Sequence, residues 1–329
     1  MGLFGVVEEN VLIQAGACSL TVLPPLGGKI ASLSVGGVEL LQGPLAPRAP
    51  RTRTMAFDAS DAGGWDECLP SVAACGVELP NGVAEIPDHG DLWRVAWKPV
   101  TESSGRGSWL EDDANDSSPV TLRGECFSLP LALDRTLALS EQENGWRVDL
   151  GYKLTNSGPS PLPWSWAAHP LFAVDPGDRL ILPETIDSLC LEGSGGNRLG
   201  KNGDTISWPV AKLAGGRETD LSSVQPPDSG IGDKLFAGPL TQKENWCALE
   251  RASARLRIKV TFDPALTPYL GLWICYGGWP DRPGPKQNCI AMEPATAPVD
   301  SLAQTGSWTR VLAANESFAW TMHLEIERI

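Results

Sequence analysis

Three histidines, His89, His169 and His323, are the chain's whole supply of side chains that titrate near neutral pH without help. His169 lies in LPWSWAAHPLF. Pro170 steers it out of the helical region into extended backbone. An imidazole ending a Trp-rich strand is either a general acid, with an unperturbed pKa of about 6.5, or a loop-capping hydrogen-bond partner. His89 lies in IPDHGDLW between Asp88 and Asp91. Those carboxylates could orient or charge the ring, and Gly90 allows a turn or a close approach to a ligand. The plain alternative is a turn residue. His323, between Met322 and Leu324 on the polar side of an alternating segment, reads as solvent-facing. Glu293, in NCIAMEPATAP, follows an apolar run and precedes a proline. It is either a base whose pKa burial would raise, or a strand-end partner of Arg or Lys. Trp65-Asp66-Glu67 follows Gly63-Gly64. An indole beside two acids on a glycine-supported turn suits a sugar: the ring covers C–H faces and the carboxylates accept from hydroxyls. Thirteen tryptophans are many for one chain, but several fall on core-facing positions, so the count adds little.

Other chemistries lack their residues. There is no HExxH zinc helix, no GxSxG elbow, no GxxxxGK[ST] loop and no GxGxxG unit. No two of the eight cysteines have CxxC spacing. Their scatter through a long chain argues for reduced, mostly buried thiols and a cytoplasmic protein rather than a disulfide framework. The start, MGLFGVVEENVLI, has no basic region before an apolar one. The net charge is −14, the opposite of what a phosphate backbone attracts. Nucleic acid and anionic membrane are therefore not expected partners. The acidic stretch Glu111–Ser118 lacks the EF-hand pattern and reads as a surface loop.

The elements that must position these residues are strands. Trp146, Val148, Leu150, Tyr152 and Leu154 alternate with polar residues. So do Leu256, Ile258, Val260 and Phe262, and Phe318, Trp320, Met322, Leu324 and Ile326. Alternation puts successive side chains on opposite faces of a sheet. Val11–Ile13, Ile30–Val35 and Leu270–Tyr276 are short apolar runs between glycines or prolines. Gly36-Gly37 reads as a two-residue hairpin turn, and Asn144-Gly145 as a slightly longer one. Short helical turns are expected near Trp65–Leu69 and Val299–Leu302, and Lys201–Gly232 reads as loop. The 35 glycines and 28 prolines exceed ordinary usage and leave little room for long helices. No 20–50-residue period repeats, and no run is apolar enough to span a membrane. The expectation is all-β: one large antiparallel β-sandwich domain over residues 1–329.

In joint order and spacing, GGKIASLSVGGVELL, GGWDECLP, DHGDLW, LTNSGPSPLPWSWAAHPLF, GDKLF and LGLWICYGGWP followed by IAMEPATAPVDSL resemble the aldose 1-epimerase (galactose mutarotase-like) superfamily. The resemblance runs from about residue 25 to the C-terminus. It implies a large antiparallel β-sandwich and a small-molecule aldose as partner. It also implies paired proton transfer that needs no metal or organic cofactor. His169 matches the acid that protonates the ring oxygen. Glu293 matches the base that takes the anomeric hydroxyl proton. His89 matches a second histidine that hydrogen-bonds the sugar, and Asp233, in GDKLF, the aspartate that binds its hydroxyls. Acid and base are expected on opposite sides of the C1–O5 bond.

Two segments depart from the pattern. The family's Asn-Arg-Ile type triplet is missing from RTRTMAFDASDAGGWDE, which leaves Trp65, Asp66 and Glu67 to replace that sugar contact. HPLF stands where HP is usually followed by two aromatics and Asn, so galactose specificity does not carry over. A phosphorylated hexose would want clustered arginines; Arg48, Arg51, Arg53 and Arg94 are candidates, or plain surface residues. Two competing functions remain: a non-catalytic sugar-binding or sensing protein, and a glycoside hydrolase or lyase, where a glycosidase would need Glu67 and Glu293 about 5–10 Å apart. The sequence says nothing of oligomeric state.

Overall fold

The structure, a computed structural model, describes residues 10–80, 82–100 and 118–329. The acidic stretch from residue 111 to 117 and the first nine residues lie outside these. The alternating segments become the longest strands, Leu131–Gln142, Gly145–Asn156 and Ser317–Arg328. Trp146, Val148, Leu150, Tyr152, Leu154, Trp320, Met322, Leu324 and Ile326 are all buried, and the residues between them face outward. The hairpin expected at Asn144-Gly145 turns through Glu143 and Asn144, one residue earlier than expected, because Gly145 already pairs with Gln142. Gly145 is small for a separate reason: a Cβ there would lie 1.9 Å from the Ile326 carbonyl oxygen.

Among the described residues the strands form two large antiparallel sheets. The eleven-stranded sheet runs Val11–Ala15, Cys18–Leu23, Lys29–Val35, Trp65–Cys68, Ala167–Ala173, Asn288–Ala295, Tyr269–Tyr276, Ile231–Ala237, Ser188–Ser194, Thr205–Ser207, with Val38–Glu39 on the side of Lys29–Val35. The eight-stranded sheet runs Arg179–Ile181, Trp246–Arg251, Leu256–Phe262, Ser317–Arg328, Gly145–Asn156, Leu131–Gln142, Val120–Glu125, Lys98–Pro99. One apolar cluster takes Ile30, Leu272 and Ile290 from the first sheet and Val148, Ile258 and Leu324 from the second. Burying each such side chain contributes about 1.5–3 kcal/mol. The all-β sandwich expected from the alternation is the architecture found.

The centre of the larger sheet differs from its edges. Ala167–Ala173, Asn288–Ala295 and Ile231–Ala237 are buried along almost their whole length. One face packs toward the second sheet. The other lies under loops carrying the short 3₁₀ turns Phe57–Ala59 and Leu92–Arg94. Trp65–Leu69 does not turn helically; Trp65–Cys68 is a central strand bonded to Lys29–Val35 and Ala167–Ala173. Nor is Val299–Leu302 helical: the Asp300 carbonyl accepts from the Val72 and Ala73 amides and the Ser71 hydroxyl, tying this loop to the 70–73 loop instead. Lys201–Gly232 is more ordered than its composition suggests, with short strands Thr205–Ser207, Val210–Lys212 and Glu218–Asp220.

Candidate active site

Register assembles the site. Asp66 is the cross-strand partner of His169. The pairs Ala167–Ala295 and Leu171–Ala291 bracket His169 and Glu293 and bring them side by side on neighbouring strands. Glu293 in turn pairs with Gly271, and Gly271 with Phe236. Directly opposed residues share a sheet face, so this row runs across five strands on the face turned away from the second sheet.

Above it lies a cavity of about 170 Å³. His89, His169, Lys234, Glu293 and Asp300 line it together with Phe57, Trp273, Trp279 and Gln287. His169 Nε2 is 3.9 Å from Glu293 Oε1. Both side chains are buried, and among the described residues neither Glu293 Oε1 nor His169 Nδ1 has a hydrogen-bond partner. Such orphaned polar atoms are costly in a closed core; here they border a cavity. The two groups stand side by side on one sheet face, not across the cavity from each other.

His89 reaches the site from a loop. It adopts a left-handed backbone at φ 59°, its amide donates to the Val72 carbonyl, and Nδ1 is 2.9 Å from Asp88 Oδ2. Phe57 stacks on its ring at 3.7 Å and 8°, and the His169 ring stands edge-on at 5.2 Å. Gly90 lets the loop close down, since a Cβ there would meet the Leu69 carbonyl oxygen at 2.2 Å. Arg94 fixes the loop by donating to the Asp88 and Gly90 carbonyls, while its guanidinium covers Trp93.

Charge at the site follows from burial. Burial holds the His169 pKa well below 6.5, and His89, Lys234 and Lys29 push the same way. Burial raises Glu293 above the ordinary carboxylate value, with Lys234 opposing and Asp300 reinforcing the rise. Burial also works against the Lys234 ammonium, but Asp300 and Glu293 outweigh it and keep its pKa above the usual lysine value. Lys234 donates to Glu293 Oε2 and lies 3.6 Å from Asp300.

Of the six residues expected to carry function, His169, Glu293 and His89 line this one cavity. Trp65, Asp66 and Asp233 do not. Trp65 is 1% exposed and packs in the core between the sheets. Asp66 lies on the site face but is occupied by the Lys29 ammonium at 2.5 Å and does not line the cavity. Asp233 points to the opposite face of its strand from Lys234, where Arg198 and Ser194 hold it. Glu67 also faces inward, accepting from Arg135, Tyr152 and Trp166. It is therefore no partner for Glu293 in a glycosidase pair.

None of the four candidate arginines lines the cavity. Arg51 and Arg48 serve Asp61, Arg53 covers Phe127, and Arg94 pins the His89 loop. Burial disfavours the Asp61 charge, yet Lys29, Arg51 and Arg48 outweigh it and hold its pKa below the usual value.

Sequence reasoning missed Phe57, Lys234, Trp273, Trp279, Gln287 and Asp300. Lys234 adjoins the selected Asp233, but a strand buried on both faces, with a charge on each, gives no alternation to tell which neighbour points where.

No known family profile matches the chain, and no curated protein matches it by sequence. Solved structures do match it in fold. A protein from Synechocystis has 16% identity and a TM-score of 0.70, over 100% of this chain and 99% of that one. A galactose mutarotase-like protein from Clostridium acetobutylicum has 16% identity and a TM-score of 0.64, over 97% and 95%. A galactose mutarotase related enzyme from Lactobacillus acidophilus has 12% identity and a TM-score of 0.63, over 97% of each chain. The fold is thus that of galactose mutarotase-like proteins.

Proposed function

We propose that the chain is a mutarotase of the aldose 1-epimerase type, one functional unit over residues 1–329, interconverting the α and β anomers of a free sugar. The observation that carries this is the pair His169 and Glu293, 3.9 Å apart, each with an unpartnered buried atom, at the base of an aromatic-walled cavity. The anomeric oxygen and the ring oxygen of an aldose are both bonded to C1. A side-by-side acid and base can therefore reach both oxygens at once, each within hydrogen-bond range.

Glu293 Oε1 takes the proton from the anomeric hydroxyl. The C1–O5 bond breaks as C1 becomes a carbonyl, and His169 gives its proton to O5. After rotation about C1–C2, the two protons return and the ring closes as the other anomer. His89 hydrogen-bonds the sugar, and Phe57, Trp273 and Trp279 cover its C–H faces. The pair must hold one proton between carboxylate and imidazole. Its apparent pKa values then belong to the pair rather than to either residue. A cavity of this size takes a single sugar ring. We place the protein in the cytoplasm on the scattered cysteines of its sequence.

The test is two-dimensional exchange NMR on glucose, galactose, xylose, arabinose and glucose 6-phosphate. Faster anomer exchange for one sugar, lost in His169→Ala and in Glu293→Ala while binding persists, is the expected result. Binding without acceleration for any sugar would turn the assignment to a non-catalytic sugar-binding protein. Near-normal exchange in both variants would overturn the assigned roles.

A further inference from the structure

We infer that Lys234 is a positioning residue that locks the Glu293 carboxylate with one oxygen tied down and the other presented to substrate; this rests on the epimerase reading. Lys234 and Glu293 belong to strands that are not neighbours. Ile231–Ala237 and Asn288–Ala295 flank Tyr269–Tyr276 on either side. Adjacent strands lie about 4.8 Å apart, so the pair must reach across a whole intervening strand. The residue between them is Gly271, the cross-strand partner of both Glu293 and Phe236. A Cβ there would meet Glu293 Oε2 at 3.1 Å and the Phe236 ring at 3.1 Å. Glycine leaves a gap, and the Lys234 ammonium lies over the Phe236 ring, 5.2 Å from its centroid.

The consequence is asymmetry within one carboxylate. Oε2 accepts from Lys234, while Oε1, with no hydrogen-bond partner among the described residues, sits 3.9 Å from His169. A freely rotating carboxylate would present either oxygen. Pinning one fixes which oxygen receives the proton, and the ammonium favours the charged form of the base against the burial that disfavours it. Asp300 competes for the same ammonium. A cation at this spot also belongs to an otherwise crowded field. Facing Glu293 are His169 from Ala167–Ala173, Lys234 from Ile231–Ala237 and Cys68 from Trp65–Cys68. Asp300 and His89 face it from their loops, Cys289 from its own strand, and Glu192 sits behind Asp300. Among these, Lys234 alone is both cationic and hydrogen-bonded to the carboxylate.

The experiment reads Glu293 itself. Protein labelled with ¹³C at the glutamate carboxyl is titrated by NMR, and the Glu293 signal is identified by its loss in Glu293→Gln. Lys234→Met should move the midpoint up by about one unit or more, the size an adjacent opposite charge produces. Asp300→Asn should move it down, because Asp300 raises it. Lys234→Arg should restore much of the shift. In turnover, Lys234→Met should lower kcat about ten- to a hundredfold, change KM little, and carry the acid limb of the pH profile upward. If Lys234→Met fails to fold, Gly271→Ala keeps both charges and parts the pair, and should raise the midpoint too. A midpoint unmoved in Lys234→Met, or in Gly271→Ala where that variant stands in, overturns the inference. A moved midpoint without mutarotation by the unsubstituted protein supports the lysine's role and overturns the epimerase reading alone. Mutarotation with an unmoved midpoint does the reverse.

Discussion

The two sheets carry similar ion pairs in opposite surroundings. On the outer face of the eight-stranded sheet, Arg123 pairs with Asp134, Arg147 with Asp149, and Lys259 with Glu325, with side chains 14–49% exposed. In the larger sheet Lys29 pairs with Asp66, Arg198 with Asp233, and Lys234 with Glu293, and the three carboxylates are at most 2% exposed. An exposed pair contributes about 0–1 kcal/mol, because water screens it and two long side chains must be ordered. A buried pair has already given up its hydration, so removing one partner strands the other. The outer pairs decorate a sheet whose strands are fixed by apolar alternation. The inner pairs constrain which way side chains point. That is the property a site needs.

The largest expected effect separates the two sheets by their histidines. His169 lies on the site face of the larger sheet; His323 lies half-buried on the outer face of the other. His169→Gln should reduce the rate of anomer exchange by about 10²–10⁴-fold, the usual contribution of one proton-transfer group. His323→Gln should leave that rate unchanged. Exchange kinetics on the preferred sugar check both, and equal losses would erase the functional distinction between the sheets.

A slightly smaller effect tests the contact between them. Arg135 extends inward from Leu131–Gln142 of the eight-stranded sheet and donates to Glu67 of the larger one. It also reaches the Gly28 carbonyl and lies 5.0 Å over Trp97. Arg135→Met leaves Glu67 buried with only the Tyr152 and Trp166 donors. The expected loss is about 3–5 kcal/mol, the cost of a stranded buried charge, read from urea unfolding. Replacing Glu67 by Gln in the same background should recover part of it.

What the sequence revealed divides along the same line. The outer sheet was legible because one face meets water: Leu256, Ile258, Val260 and Phe262 alternate with Arg257, Lys259 and Thr261, and the structure keeps that phase. At the centre of the larger sheet both faces are covered, so apolar residues run on without a period. Trp65–Cys68 illustrates the cost. Its four residues are all buried, and reading them as one turn merged two opposed faces, with Trp65 and Glu67 inward and Asp66 toward the site. His169 and His89 could still be picked out because histidine is scarce, and Glu293 because it follows an apolar run and precedes a proline, while the joint order of the segments suggested their roles. Lys234 and Asp300 could not, because nothing local says that a lysine on a buried strand faces a carboxylate two strands away.

A pH experiment sharpens the contrast further. Burial disfavours the charged form of His169 and sets its folded pKa below the unfolded value of about 6.5. The unfolded chain therefore binds the proton more readily, and stability rises with pH up to that value. Conversely, stability is lost as pH falls from 6.5 toward the depressed folded pKa. Denaturation midpoints between pH 7 and 5 should decline in the unsubstituted protein and decline less in His169→Gln. Parallel slopes would mean that the site face does not withhold this proton.

The smallest expected effect belongs to the outer face, and its smallness is the point. Arg123 donates through two nitrogens to Asp134, at 2.6 and 2.8 Å. That is favourable geometry, yet the arginine is 42% exposed. Arg123→Ala should cost no more than about 1 kcal/mol, and less in high salt, where the Debye length contracts to about 3 Å at 1 M. The Arg135→Met loss should be nearly insensitive to the same salt, because buried charges are screened far less. Running both variants across a salt series turns the comparison of the sheets into two slopes. If the outer pair proved as costly to break as the inner one, burial would not be what distinguishes the charges of this fold, and the argument for a specially constrained site face would lose its physical basis.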